Sequence, residues 1–187
     1  IETEFKGASP YVRTAKGSIR ARKLILAVNA FSQSFGVYGE RQVPVLLFAS
    51  LTHPLSDAQI ASLGSDVTWG LTPAHGVAGS TLRLTQDRRL MIRQGFEYSP
   101  SLNTNEERRA KARAMNLELL RRRFPQLGEI QLEHFWMGWL AVSQNHAPAF
   151  GPIGENAFAA SCCNGSGIVR HTAAGMLIAH FGRIPHV

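Results

Sequence analysis

Cys162-Cys163-Asn164-Gly165-Ser166-Gly167 holds both cysteines of the chain and two closely spaced glycines. Thiols invite redox or metal chemistry; the glycines invite anion binding. Adjacent cysteines do not converge on zinc as a Cys-x-x-Cys loop does, and no second pair or zinc-finger histidine spacing completes a site. A vicinal disulfide would close a strained small ring. The cysteines are therefore expected as small buried hydrophobes finishing a strand, and no metal site is expected. The glycines follow the apolar run 157–161 and precede a helical pattern from Ile168. A strand, a tight turn and a helix start bring free backbone N–H groups and the positive helix end to one point, which suits an anion or a developing negative charge. A dinucleotide fingerprint is not met. Arg170 stands where a small residue is needed, and no following strand ends in an acidic residue about 20 positions on.

The elements that must position this turn are readable in outline. Residues 11–14 and 18–28 read as the arms of a hairpin turning at Ala15-Lys16-Gly17, and the end of the second arm, "KLILAVNA", reads as a strand buried on both faces. A strand is expected over 43–55, then a short helix with Ser56 as N-cap and Gly64 as stop. Further strands are expected over 67–74 and on either side of a turn at Gln86-Asp87-Arg88. Thr104 with Glu107 three positions on reads as a capping box opening a helix to about Arg123, with Ala112, Met115, Leu119 and Phe124 turned inward. Extended chain over 130–144, a Pro/Gly-rich loop over 145–156, a strand over 157–163 and a helix over 168–181 complete the chain.

Composition bounds the possible functions. With 44% hydrophobic and 18% charged residues the chain reads as an ordinary globular protein rather than a disordered one. No apolar run approaches the roughly 20 residues of a membrane helix, so no membrane span is expected. The net charge of +7 raises nucleic-acid binding, but the excess lies in 13–23 and 107–124, where it reads as solvated strand and helix faces. No nucleic-acid fold signature accompanies it, and no nucleic-acid partner is expected. Two cysteines build no disulfide framework, so a cytoplasmic location is the simplest expectation. The chain opens "IETEFKG", without Met or signal-peptide regions, and reads as part of something longer.

The segment 134–181, "HFWMGWLAVSQNHAPAFGPIGENAFAASCCNGSGIVRHTAAGMLIAHF", resembles the C-terminal block of FAD-dependent oxidoreductases of the D-amino-acid oxidase group, which includes glycine, sarcosine and γ-glutamylputrescine oxidases. The matching positions are Trp136, Gly138, Asn145, Pro148, Gly151, Gly165-Ser166-Gly167 and Gly175. Upstream, "TAKGSIRARKLILAVNAFS", "VPVLLFASLTHPLS" and "LRLTQDRRLMIRQGFEY" are similar to the family's hairpin and substrate-domain strands, in family order. Two positions depart from the pattern. Ser166 replaces the usual His, and Arg93-Gln94-Gly95 replaces a Gly-Gly. The family's N-terminal Gly-x-Gly-x-x-Gly unit is not found in these residues.

The resemblance implies an α+β chain: a mixed or antiparallel substrate-domain sheet with helices, plus strand-turn-helix remnants of an FAD-binding α/β domain. It implies part of the FAD-binding domain in 1–42, a substrate-binding domain in 43–134 and a C-terminal FAD-binding segment in 135–187. The implied parent oxidises a small amine or amino acid by hydride transfer from the carbon beside nitrogen to flavin, giving an imine that water hydrolyses. Ala27, Val28, Asn29, Trp136, Gly138, Asn145, Pro148, Gly165, Ser166, Gly167 and Ile168 are the implied cofactor contacts. The N–H groups of Gly167 and Ile168 would stabilise the negative edge of reduced flavin. Phe96 and Tyr98 are the residues expected to line the substrate side. His146 and His171 stand beside these motifs, but no general base is assigned. FAD is expected for the full-length parent and not for this chain alone, with the missing N-terminal half as its partner. The alternative reading is a noncatalytic binding module or degenerate subunit that has lost flavin binding.

Overall fold

The computed structural model describes residues 2–5, 9–64, 66–73 and 79–181. They form two compact units, one from the described residues of 1–45 and 139–187 and the other from those of 46–138.

In the first unit, β1 (Glu2–Glu4), β2 (Tyr11–Thr14) and β3 (Gly17–Arg20) make an antiparallel sheet. The hairpin expected over 11–28 forms only as far as Arg20. Residues 24–26 then leave it as β4 (Leu24–Leu26), which pairs parallel with β11 (Ala157–Ser161) in a different sheet. That sheet has the order β10-β11-β4, where β10 is Ala149–Gly154. β4 is thus an edge strand, and Ile25 is 54% exposed, which corrects the expectation of burial on both faces. The doubly buried strand is β11, every residue of which is buried. Phe158 and Ala160 pack against Ala174 and Ile178 of α3 (Gly167–Phe181). Ala159 faces Leu26 and Val37. β10 overturns the expectation of a loop over 145–156: it pairs antiparallel with β11 through Pro152 and Gly154, with a register shift between them. Pro is tolerated there because β10 is an edge strand.

The second unit is built on the sheet β6-β7-β8-β5-β9. Its strands are β5 (Val43–Thr52), β6 (Trp69–Leu71), β7 (Thr81–Leu84), β8 (Leu90–Tyr98) and β9 (Leu132–Val142). Position 74 of the strand expected over 67–74 lies outside the described residues. Leu82, Leu84, Leu90 and Ile92 join Leu120 of α2 (Glu106–Arg123), Leu55 and Ile60 in the core. Each such side chain contributes about 1.5–3 kcal/mol of burial.

The helix α1 (Asp57–Ser62) starts as its sequence indicates, with Ser56 and Gln59 forming a reciprocal capping box and Gly64 in the left-handed region at φ +72°. α2 is capped one residue later than expected. The Asn105 side chain accepts from the Arg108 N–H at 2.9 Å, while the buried Thr104 hydroxyl has no partner among the described residues. Asn116 and Leu120, not Met115, are its buried residues, and Met115 is 46% exposed. The Asn116 amide donates to the Ser50 hydroxyl at 2.9 Å, so a polar group sits buried at low cost. Among the described residues no helix is long and apolar enough to cross a membrane.

Candidate functional site

The strand end at Ser161 and the start of α3 are joined by residues 162–166, and a set of short hydrogen bonds fixes that connection. Cys162 and Asn164 adopt left-handed backbone at φ +60° and +50°, followed by Gly165 at +76°. The cysteines therefore lie beyond the strand rather than finishing it. Cys162 is buried, and burial pushes its thiol upward, away from thiolate chemistry. Both cysteines are free thiols, and no group of three or more His, Cys, Asp or Glu among the described residues could hold a metal.

Cys163 acts through its backbone and its size. Its N–H donates to the Asn29 side-chain oxygen at 3.1 Å, and the Asn29 amide donates to its Sγ at 3.3 Å. The Ser166 N–H returns to the Cys163 carbonyl at 3.0 Å, closing the turn. Gly167 has no room for a side chain: a Cβ there would lie 2.6 Å from the Cys163 Cβ. With the Ser166 amide spent, the amides of Gly167 and Ile168 head the 15-residue helix α3 without intrahelical acceptors.

Two asparagines that carried little signal in the sequence hold this turn in place. Asn29, at φ +48° just past β4, receives the Ser32 and Ser161 hydroxyls on its carbonyl at 2.8 and 2.7 Å. Asn164 secures the loop before β10. Its side-chain oxygen accepts from the Ser143 N–H at 2.8 Å, and its amide donates to the Ala147 carbonyl at 3.2 Å. Arg170, the residue that breaks the dinucleotide fingerprint, donates to the His146 carbonyl at 3.0 Å. Asn145 is exposed and closes a local turn on the Ala147 N–H at 3.1 Å, with Pro148 partly buried behind it. Ala27 is exposed and Val28 half-buried at the end of β4. The turn, the β4 end and the 143–148 loop are thus brought together within one unit. Among the described residues the buried His171 Nε2 and Gln42 Oε1 find no hydrogen-bond partner.

Trp136 and Gly138 belong to the second unit, on β9, where Trp136 is 45% exposed. Phe96 and Tyr98 are also in that unit, on β8, with Phe96 half-buried and Tyr98 exposed. A cavity of about 310 Å³ lies on the α2 side of β8, lined by Phe48, Gln94, Glu97, Met115 and Asn116 among others. Its Glu97 carboxylate is paired with Arg108.

Residues 1–181 match the family described as FAD dependent oxidoreductase, nearly the whole chain. The chain belongs to that family. It is 27% identical over 97% of its length to γ-glutamylputrescine oxidoreductase of Escherichia coli, covering 41% of that protein. It is 26% identical over 96% of its length to a probable oxidoreductase, OrdL, of Haemophilus influenzae, covering 40% of it. The chain therefore spans about two fifths of the length of these relatives. Glycine oxidase from Geobacillus kaustophilus shares the fold, with a TM-score of 0.71 over all of this chain and 48% of that one, at 15% identity.

The residues present fit a flavin edge. The glycine turn offers two unspent amides at a helix N-terminus, and the missing Cβ of Gly167 keeps that approach bare.

Proposed function

We propose that this chain is part of an FAD-dependent oxidoreductase that oxidises a small amine or amino acid. The observation that carries the reading is the Gly165-Ser166-Gly167 turn at the head of α3, in a chain of this family. The relatives named above, γ-glutamylputrescine oxidoreductase and glycine oxidase, carry nitrogen-bearing compounds in their names, which supports the substrate class. When bound, flavin supplies a hydride acceptor for the carbon beside the substrate nitrogen.

This chain's own residues position and stabilise. The Gly167 and Ile168 amides, with the positive end of α3 behind them, favour negative charge on whatever edge they face. Asn29 and Asn164 fix the direction of those amides by tying the turn to β4 and to the 143–148 loop. Ala27, Val28, Asn145, Pro148, Gly165 and the Ser166 side chain complete the flavin contacts from this unit. Phe96 and Tyr98 offer apolar contact to substrate.

Purification of the full-length protein containing this chain tests the reading. The expected result is a bound-flavin spectrum that bleaches anaerobically with an amine or amino acid. A full-length protein without flavin, or one that no member of a broad amine and amino-acid panel bleaches, overturns it.

A further inference from the structure

The stripe of α2 that faces β8 changes character along the helix. Towards its C-terminal end Asn116 and Leu120 are buried. One to two turns earlier the same stripe carries Arg108, Lys111, Ala112 and Met115, at i, i+3, i+4 and i+7 spacing. The strand opposite is irregular at the same level. The register pairs Leu82 with Ile92 and Leu84 with Leu90, all four in the core beside Leu120, so Thr81, Arg83, Met91 and Arg93 lie on the other face. Gly95, at φ +90°, then shifts the alternation by one. Gln94 and Glu97 both line the cavity against α2, so Phe96 and Tyr98 fall on the same face as Arg93. The cavity of about 310 Å³ exists because Ala112 on the helix and Gly95 on the strand leave its space unfilled. A Cβ at Gly95 would already lie 3.2 Å from Phe48 Cδ2, so the strand side does not close it. Its volume is at the small end of the roughly 300–1,000 Å³ range of ligand sites.

The lining combines a fixed apolar floor with donors that have no acceptor. Phe48 is buried and stacks on Phe135, with ring centroids 6.0 Å apart. Met115 is exposed, and its unbranched thioether adapts to what it covers. Gln94 accepts from the Ser80 hydroxyl through Oε1, and its amide N–H groups have no acceptor among the described residues. Glu97 is neutralised by its ion pair with Arg108. Lys111 has no ion pair among the described residues. Two cations and one carboxylate therefore line the cavity, and one positive charge is left uncompensated. A neutral apolar molecule would leave that charge unanswered, and a cation would be repelled by it. A simple inorganic anion would leave the Phe48 and Met115 surface uncovered.

We propose that this cavity binds a small amphiphilic anion, a carboxylate with a short apolar body. The head meets the Lys111 ammonium and the Gln94 amide, and the body covers Phe48, Ala112 and Met115. Every residue invoked belongs to the second unit, and no flavin contact is involved, so the inference does not rest on the oxidoreductase reading.

The test uses the 187-residue chain with ¹³C-methyl methionines, the Met115 methyl resonance being assigned by its loss in Met115→Leu. Octanoate, 1-octanol, octylammonium and acetate are titrated at matched ionic strength. The expected result is a saturable shift of the Met115 methyl with octanoate, binding about tenfold weaker with 1-octanol, and no shift with octylammonium or acetate. Lys111→Gln should weaken octanoate about tenfold and leave 1-octanol unchanged, the loss of one charge-assisted contact. Arg122→Gln, on the same helix but outside the cavity, should leave both unchanged. Ala112→Leu, shown to be folded by its urea midpoint, should abolish both by filling the space. If that variant does not fold, the exposed Lys111→Gln change decides alone. Equal affinity for octanoate and 1-octanol, unchanged octanoate binding in Lys111→Gln, equal weakening in Arg122→Gln, or binding that survives in folded Ala112→Leu overturns the proposal.

Discussion

The turn between β11 and α3 and the outer half of β8 are held in opposite ways. At the turn, Asn29, Ser32, Ser161 and Asn164 spend their polar atoms on neighbouring backbone, and Gly167 is pressed against Cys163. What remains unspent is backbone N–H, aimed by a rigid surround. On β8 the reverse holds: Leu90 to Arg93 pair with β7 through the backbone, and the Arg93 side chain keeps a single neutral partner among the described residues. Arg89, just before β8, shows what a structural arginine in this sheet looks like. It is 16% exposed and binds Asp87, Glu133 and the Thr52 carbonyl. Among the described residues Arg93, four positions on, has only Thr81. The contrast separates a charge that the fold pairs with carboxylates from one that it pairs with a single neutral hydroxyl.

The largest effect should come from breaking the tight turn. Gly167→Val places atoms where Cys163 already sits, and a loss of about 1–3 kcal/mol in thermal or urea unfolding is expected. Adding Cys163→Gly should restore part of it. A fully stable single variant would show that the turn is slack and that its amides are not held in place.

Next come the asparagine ties. Asn29→Gly and Asn164→Gly keep the left-handed backbone available but remove the side-chain bonds, and each should cost about 1–2 kcal/mol in urea unfolding. Additivity of the two in the double variant would argue against a single network around the turn.

The Arg89 cluster gives a pH-dependent effect. The Arg89 guanidinium holds the Glu133 carboxyl below its usual range, and the Thr85 hydroxyl, then Arg89, does the same for Asp87. Groups lowered in the folded state stabilise it above their unfolded pKa, and that stabilisation is lost as pH falls through the folded values. Arg89→Met should therefore be less stable than the parent chain at neutral pH, with the gap closing under acid. A constant gap between pH 7 and pH 2, measured by urea midpoints, would remove the electrostatic role.

The smallest stability effect is expected at Arg93. Arg93→Gln should change unfolding stability by no more than about 0.5 kcal/mol, because the side chain lies outside the core and pairs with no carboxylate. A loss as large as that at the asparagine ties would make Arg93 structural and erase the contrast with Arg89.

Local chemistry was legible where one residue decides. Ser56, Gln59 and Gly64 fix α1 by themselves because the cap is satisfied within four residues. At α2 the sequence offers two caps in a row, Thr104 and Asn105, and only the geometry shows that Asn105 reaches a free N–H. The apolar runs misled in a more general way. "KLILAVNA" and "AFAAS" read alike, yet β4 is an edge strand and β11 a central one. Strand order is a long-range property that periodicity does not carry. The glycine turn was readable because its strand, turn and helix are contiguous. Asn29 and Asn164 were not readable as its supports: 134 residues separate Asn29 from Cys163, and an asparagine in a loop has many ordinary uses.

The sequence by itself determined the class of fold, the position of the glycine turn, the caps of α1 and the absence of zinc-type spacing. Those features depend on neighbours within a few residues or on motifs in a fixed order along the chain. Only the tertiary structure decided which strand is buried on both faces, which residues aim the turn, and that Arg93 shares a sheet face with Phe96 and Tyr98. Each of those depends on pairing between distant segments and on one irregularity at Gly95, where a single left-handed residue changes which face every later side chain occupies.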